Sequence, residues 1–129
     1  MEYTLIRVVD AGRKAGGITP PESFSVFVVG YVPFWNADNT DCNSVSWQWW
    51  GYSDAKLNTG LRQQMNDLTL QLNAVIQATT VKLTELGVFY VDGFQNEYNS
   101  HRFCESQASL NGASNRPISK DTWFWTDDS

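Results

Sequence analysis

The sequence has few of the residues that build metal sites. It holds one histidine and two widely separated cysteines in 129 residues, which all but excludes a structural zinc site within one chain. It has no basic surplus either. Nine Lys and Arg stand against fourteen Asp and Glu, for a formal charge of −5. Nucleic acids and anionic membrane surfaces are held by a basic face, so neither is an expected partner. No apolar run approaches the roughly 20 residues that a membrane-spanning helix needs. Met1 to Asp10 lack the ordered charged start, apolar stretch and cleavage site of a secretory signal. There is no internal repeat, low-complexity run or block of like charge. What is present is a globular composition: 42% apolar and 14% aromatic residues, including six Trp. The length suits one domain, and residues 1–129 are read as a single one.

Along the chain, Leu5, Val8, Val9 and Gly12 make a helical stripe within Tyr3 to Ala15. Arg13 and Lys14 suit its carboxyl end before the stop at Gly16-Gly17. Ile18-Thr19-Pro20-Pro21 then breaks the chain. Phe24 to Tyr31 (FSVFVVGY) is a short apolar, β-branched run, which predicts a strand buried on both faces of a parallel sheet. A long loop follows from Val32 to about Lys56, of the kind that carries function in compact domains. Leu57, Leu61, Met65, Leu68, Leu72, Val75, Ile76, Thr79, Leu83 and Leu86 recur at spacings of three and four. They predict one amphipathic helix of roughly 25–30 residues, ended by Gly87. Val88 to Asp92 is a second short strand, so strand, helix and strand make a βαβ unit with parallel strands. Gly93 to Ser129 reads as loop-rich. Two strands alone make a marginal sheet with two open edges. The expectation is therefore the carboxyl-terminal part of a larger α/β domain.

Ligands of open parallel sheets bind beyond the carboxyl ends of the strands. Two segments leave such ends. One is Gly30 to Asn36; the other runs from Val91 through Asp92 and Gly93 to His101-Arg102-Phe103-Cys104-Glu105. His101 is the sole histidine and lies in a loop. A lone loop histidine is more often structural than catalytic. The segment around it nevertheless resembles a known block. SHRFCE, with YVDGF upstream, is similar to the last block of the SGNH (GDSL-type) ester hydrolases in their fungal secreted form. FVVGYVPFWNADNTDCNSVSW resembles that family's strand and Cys-bearing loop. LNTGLRQQMNDLTLQLNAVIQAT resembles its long helix, with the Leu-Arg and Leu-Asn spacing, and DTWFW its aromatic ending. The four stretches come in the family's order and cover nearly the whole chain.

The resemblance implies part of a three-layer α/β/α fold with a parallel sheet. It also implies hydrolysis of carboxylic esters, of lipids or acylated polysaccharides, by Ser-His chemistry. His101 would be the general base, because a Ser hydroxyl is a weak nucleophile at neutral pH and imidazole has the matching pKa. Trp35, Asn36, Arg102 and Phe103 would border the substrate pocket. No cofactor is expected, and the family's secreted habit implies an extracellular location. The chain departs from the pattern in two places. It contains no Gly-Asp-Ser block and no Gly-x-Ser-x-Gly elbow, so the N-terminal strands, the nucleophile and much of the oxyanion hole are expected to be missing, and the chain alone to be impaired. Where the family carries Asp three residues before His, this chain has Tyr98. Asp92, Glu97 or a backbone carbonyl remain as orienters of the imidazole, and Asp92 reads more readily as a solvated strand-end or turn residue.

Cys42 and Cys104 stand where the family carries Cys, in the two loops that leave neighbouring strand ends. Their pairing is the expectation. It would close about 60 residues, stabilise by about 4 kcal/mol and imply an oxidising compartment. The Trp47-Gln48-Trp49-Trp50 cluster reads as a core plug, or as a stacking surface for sugar rings. In the second case the chain would be an aromatic-rich binding module without chemistry. Arg102 is expected to pair with Glu105 or Asp92 as a surface ion pair of little worth.

Overall fold

The computed structural model describes residues 1–15, 24–45, 56–105, 109–110, 117–118 and 122–123. The chain break at Ile18 to Pro21, the Trp47 to Trp50 cluster and Phe124-Trp125 lie outside them. The fold is mixed α/β. Helix α1 spans Glu2–Ala15, β1 Val26–Val29, α2 Thr59–Val81, β2 Val88–Val91, β3 Ser109–Leu110 and β4 Pro117–Ile118. β1 and β2 pair in parallel, Val26 opposite Val88 and Val29 opposite Val91. β3 and β4 form a separate antiparallel pair that the loop-rich reading of this stretch did not anticipate. The chain divides into two compact units. The first holds Met1–Tyr31 and Gln71–Phe94, the second Val32–Leu70 and Gln95–Ser129.

In the first unit, α1 carries Glu2 in its first turn and Arg13 and Lys14 in its last, each sign matched to the helix dipole. Val9, Leu83 and Val88 form the core, with Leu5, Ile6, Val26, Val28 and Leu86 packed around them. Gly12 is a point of close approach: the Phe24 ring occupies the place where a Cβ would stand. Gly87 ends a 3₁₀ turn, Thr84–Leu86, at φ 80°, a left-handed conformation that only glycine adopts without penalty.

Two expectations need correction here. β1 is not buried on both faces. Val26 and Val28 join the core, whereas Phe27 is 67% exposed and Val29 50%. Side chains alternate along a strand, and the core built on α1 covers only one face. The open face keeps Phe27 and Phe89 stacked, ring centroids 5.8 Å apart. Helix α2 is also shorter than expected, at 23 residues, and the path to Gly87 continues as the 3₁₀ turn.

The face that α2 buries is the larger surprise. Leu68, Leu72 and Val75, from the apolar stripe, are exposed. The residues at or near full burial are Arg62, Asn66, Asn73, Ile76, Thr80 and Leu83. The polar members of this stripe bind main chain. In the first unit, the Asn73 amide clamps Tyr31: its Oδ1 accepts from the Tyr31 N–H and its Nδ2 donates to the Tyr31 carbonyl, both at 2.7 Å. In the second unit, Asn66 does the same to Trp35, at 3.3 and 2.8 Å. Each amide pairs both backbone groups of one residue, as a strand neighbour would, and at Trp35 those groups are buried.

Arg62 has no exposed surface. Its Nε donates to the Leu57 carbonyl at 2.8 Å, Nη1 to the Asn36 carbonyl, and Nη2 to the Asn39 carbonyl at 2.6 Å and to Asn43 Oδ1 at 3.0 Å. Burial lowers its pKa, opposed by the charges of Asp41 and Asp38. Asn58 Oδ1 accepts from the Leu61 N–H at the start of α2, an N-cap contact. Asn43 Oδ1 also accepts from Thr59. The loop from Val32 to Val45 therefore takes its shape from the first turns of α2. Replacing Arg62 by Met keeps the volume and removes the donor from three carbonyls, two of them in buried bonds. Urea unfolding is expected to show a loss of about 3–5 kcal/mol, and Arg62→Lys, lacking the planar fork, is expected to recover less than half of it.

Candidate functional site

The second unit concentrates the residues singled out from the sequence. After β2, a 3₁₀ turn, Phe94–Tyr98, leads into the His101 segment. The Asn99 N–H bonds the Asn96 carbonyl, and the His101 N–H bonds the Tyr98 carbonyl. Ser100 at φ 72° and Cys104 at φ 65° flank the segment in left-handed conformations. Such positions cost on the order of 1–3 kcal/mol each for residues other than glycine, and persist where the surroundings hold them.

Those surroundings are visible. The Phe103 N–H bonds the Phe34 carbonyl at 2.9 Å, and the Asn36 N–H bonds the Phe103 carbonyl at 2.8 Å, a parallel bridge between Trp35 and Phe103. The Trp35 and Phe103 rings lie 5.4 Å apart. Cys42 and Cys104 form the expected disulfide, with Cα atoms 5.9 Å apart and neither residue exposed. The Asn39 amide donates to the Cys104 carbonyl at 2.5 Å. Trp35, Cys42, Val45, Leu57 and Cys104 form the core, joined by Leu61, Met65 and Phe103.

Glu105 gathers the remaining polar groups. Asn36 Nδ2 donates to Oε2 at 2.6 Å, and Arg102 donates to Oε1 through Nε at 3.0 Å and its backbone N–H at 3.3 Å. The Arg102–Glu105 pair thus forms, but not as the surface pair expected: the two side chains are 18% and 11% exposed. Burial pushes the Glu105 carboxyl up, while the hydrogen bonds from Asn36 and Arg102 and the Arg102 charge outweigh it and hold the group below the ordinary carboxylate value. Asn36 Oδ1 accepts from the Asp38 N–H. Of the four residues expected to border a pocket, Asn36 and Arg102 are therefore engaged in fixing the loop. Trp35 and Phe103 are its apolar filling.

His101 is half-buried. Its ring lies flat on the Trp123 indole, centroids 3.7 Å apart and planes 12° from parallel. The Trp123 N–H donates to the His101 carbonyl at 3.0 Å, and Tyr98 meets the same indole edge-on at 5.4 Å. The stacking sets the plane of the imidazole. Trp123, read from sequence only as part of an aromatic ending, is the contact that sequence reasoning missed. Asp92 belongs to the first unit; it is exposed, and its Oδ1 accepts from the Gly93 N–H at 2.8 Å. Among the described residues, no group of three or more His, Cys, Asp or Glu side chains is placed to hold a metal ion, and no helix is long and apolar enough to cross a membrane.

Comparison with known protein families, curated proteins and solved structures finds no match to this chain. The functional reading therefore stands on the residues and their arrangement.

Two measurements follow from the constraints on the His101 segment. The disulfide spans 62 positions, and the double variant Cys42→Ala, Cys104→Ala is expected to lose about 4 kcal/mol in denaturant unfolding. Because Glu105 titrates below its unfolded-state value, its contribution is complete above about pH 4.3 and is lost as the pH falls through its folded pKa. Thermal melts from pH 6 to pH 2 should show wild type losing more stability on acidification than Glu105→Gln. Parallel curves would remove Glu105 as a source of acid sensitivity.

Proposed function

We propose that this chain is the histidine-bearing portion of an SGNH-type domain, a three-layer α/β/α fold that hydrolyses carboxylic esters, with His101 as the general base. The observation that carries the reading is the fixing of His101. Its ring lies on Trp123, in a segment held by a disulfide, a parallel bridge and two left-handed residues. General bases act efficiently when their geometry is set before the substrate arrives. In the proposed step, the imidazole takes the proton of a Ser hydroxyl as that oxygen attacks the ester carbonyl. It then returns the proton to the departing alkoxide, so the alcohol leaves and the acyl group stays on Ser until water, activated by the same imidazole, releases it as an acid. A disulfide of this burial suits an oxidising, extracellular setting.

The chain has no recognisable nucleophile block, so hydrolysis by the chain alone is expected to be weak. Oxyanion donors by themselves are worth about 10²–10³ in rate. Purified chain and His101→Ala should be compared on p-nitrophenyl acetate. The expected outcome is a small rate above buffer that His101→Ala abolishes, with the melting transition retained. Equal rates from two folded samples would remove His101 from the chemistry. A second reading, an aromatic binding module, draws support from Trp123, which is 55% exposed. Trp fluorescence that saturates with cellobiose, in a chain without ester turnover, would favour it.

A further inference from the structure

In the first unit, the outer edge of β1 is open over two residues. The Val26 N–H bonds the Gly87 carbonyl, so the backbone groups of Val26 and Val28 face β2. Successive residues of a strand turn their backbone groups to opposite edges, so the N–H and C=O of Phe27 and Val29 point away from β2. Two residues on, the Tyr31 N–H and C=O point the same way, and there the Asn73 amide takes both. The edge is thus paired at Tyr31, in the manner of a strand, and unpaired just before it. Among the described residues, nothing bonds the outward groups of Phe27 and Val29. The side chains agree with this. Phe27 is 67% exposed, Val29 50% and Tyr31 55%. From Phe24 to Val32 the chain has neither a charged residue nor a proline, the devices that usually keep a free edge from pairing.

We propose that this edge pairs with the same edge of a second copy of the chain. A two-fold axis beside Val28 sets the two β1 strands antiparallel, with Phe27 of each copy opposite Val29 of the other. Residues so placed exchange both N–H···O=C bonds, so every outward group of the four finds a partner. Each Phe27 ring also meets a Val29 side chain on the same face. A second copy is the occupant because the open set matches itself under that axis, and an uncharged edge has nothing with which to select a charged partner. The exposed surface sets the strength. Phe27, Val29 and Tyr31 leave on the order of 300 Å² uncovered, less than half of the roughly 800 Å² that each partner of a stable dimer buries. The dimer is therefore weak, with a Kd on the order of 100 μM. It stops at two copies, because β1 has one outer edge. Each copy carries a formal charge of −5, so added salt should tighten the pairing. None of this depends on the hydrolase reading.

Sedimentation equilibrium of the full chain, from about 10 μM to about 1 mM, should show the mass rising toward twice that of one chain. Over the same range, amide hydrogen exchange should slow with concentration at Phe27 and Val29. The Tyr31 amide, already bonded to Asn73, should show no such dependence. Val29→Pro removes an outward N–H and leaves the bonds to β2, so it should fold and pair about tenfold more weakly. Val29→Ala keeps that N–H and should pair much as wild type does. A chain that stays monomeric at the highest concentration overturns the proposal. So does a dimer whose Phe27 and Val29 amides exchange at the same rate at every concentration, undiminished pairing by folded Val29→Pro, or assemblies that grow beyond two copies.

Discussion

A guanidinium with no exposed surface must find five hydrogen-bond acceptors inside the protein or lose the solvation it gave up. Arg62 meets four of them here: the backbone carbonyls of Leu57, Asn36 and Asn39 and the side-chain oxygen of Asn43. Among the described residues no carboxylate bonds the guanidinium; Asp38 and Asp41 act through their charge. The consequence is structural. Three carbonyls from separate points of the chain converge on one planar group, and the loop before α2 has a defined path without a helix or a strand of its own. Asn36 and Asn39, whose carbonyls Arg62 holds, are the same residues whose side chains reach Glu105 and the Cys104 carbonyl. The order around His101 is in this sense inherited from a cation on α2.

That inheritance explains how a loop can be rigid. The His101 segment is tied at Phe103 by paired backbone bonds, at Cys104 by the disulfide and at Glu105 by a carboxylate with three donors. Left-handed backbone at Ser100 and Cys104 is sustained by these ties. Their strengths differ in kind. The disulfide acts chiefly on the unfolded chain, while the Glu105 bonds act on the folded one and depend on the carboxylate staying ionised. Stacking on Trp123 then sets the plane of the imidazole.

Much of the fold was legible because local patterns carry it. The helix within Tyr3 to Ala15, the two short strands, their parallel pairing and the long helix between them all followed from periodicity and punctuation. Two failures share one cause. The stripe Leu61, Met65, Leu68, Leu72, Val75 and the stripe Arg62, Asn66, Thr69, Asn73, Ile76 have the same period and differ by one residue. Periodicity detects a helix from either, and hydrophobicity points to the first, yet α2 buries the second more deeply. Burial of polar residues becomes favourable only when backbone carbonyls and N–H groups from distant segments meet them, which no window of sequence contains. For the same reason β1 was taken as covered twice: an apolar run states what a strand tolerates on each face, not how many layers reach it.

The candidate site divides along the same line. Residue identity alone determined that one imidazole exists and that two cysteines are available to pair. These are matters of inventory and composition, which folding cannot change. Tertiary structure alone decided that Glu105, rather than Asp92, receives Arg102, that Asn36 and Arg102 brace the loop, and that Trp123 lies flat on His101. Each of these is a choice among partners that the chain offers in number. Asp92 stands beside Gly93, whereas the Glu105 carboxylate stands where two loops converge. Distance through space selects between equals in sequence, and it is set by the packing of α2 and the loops on one another.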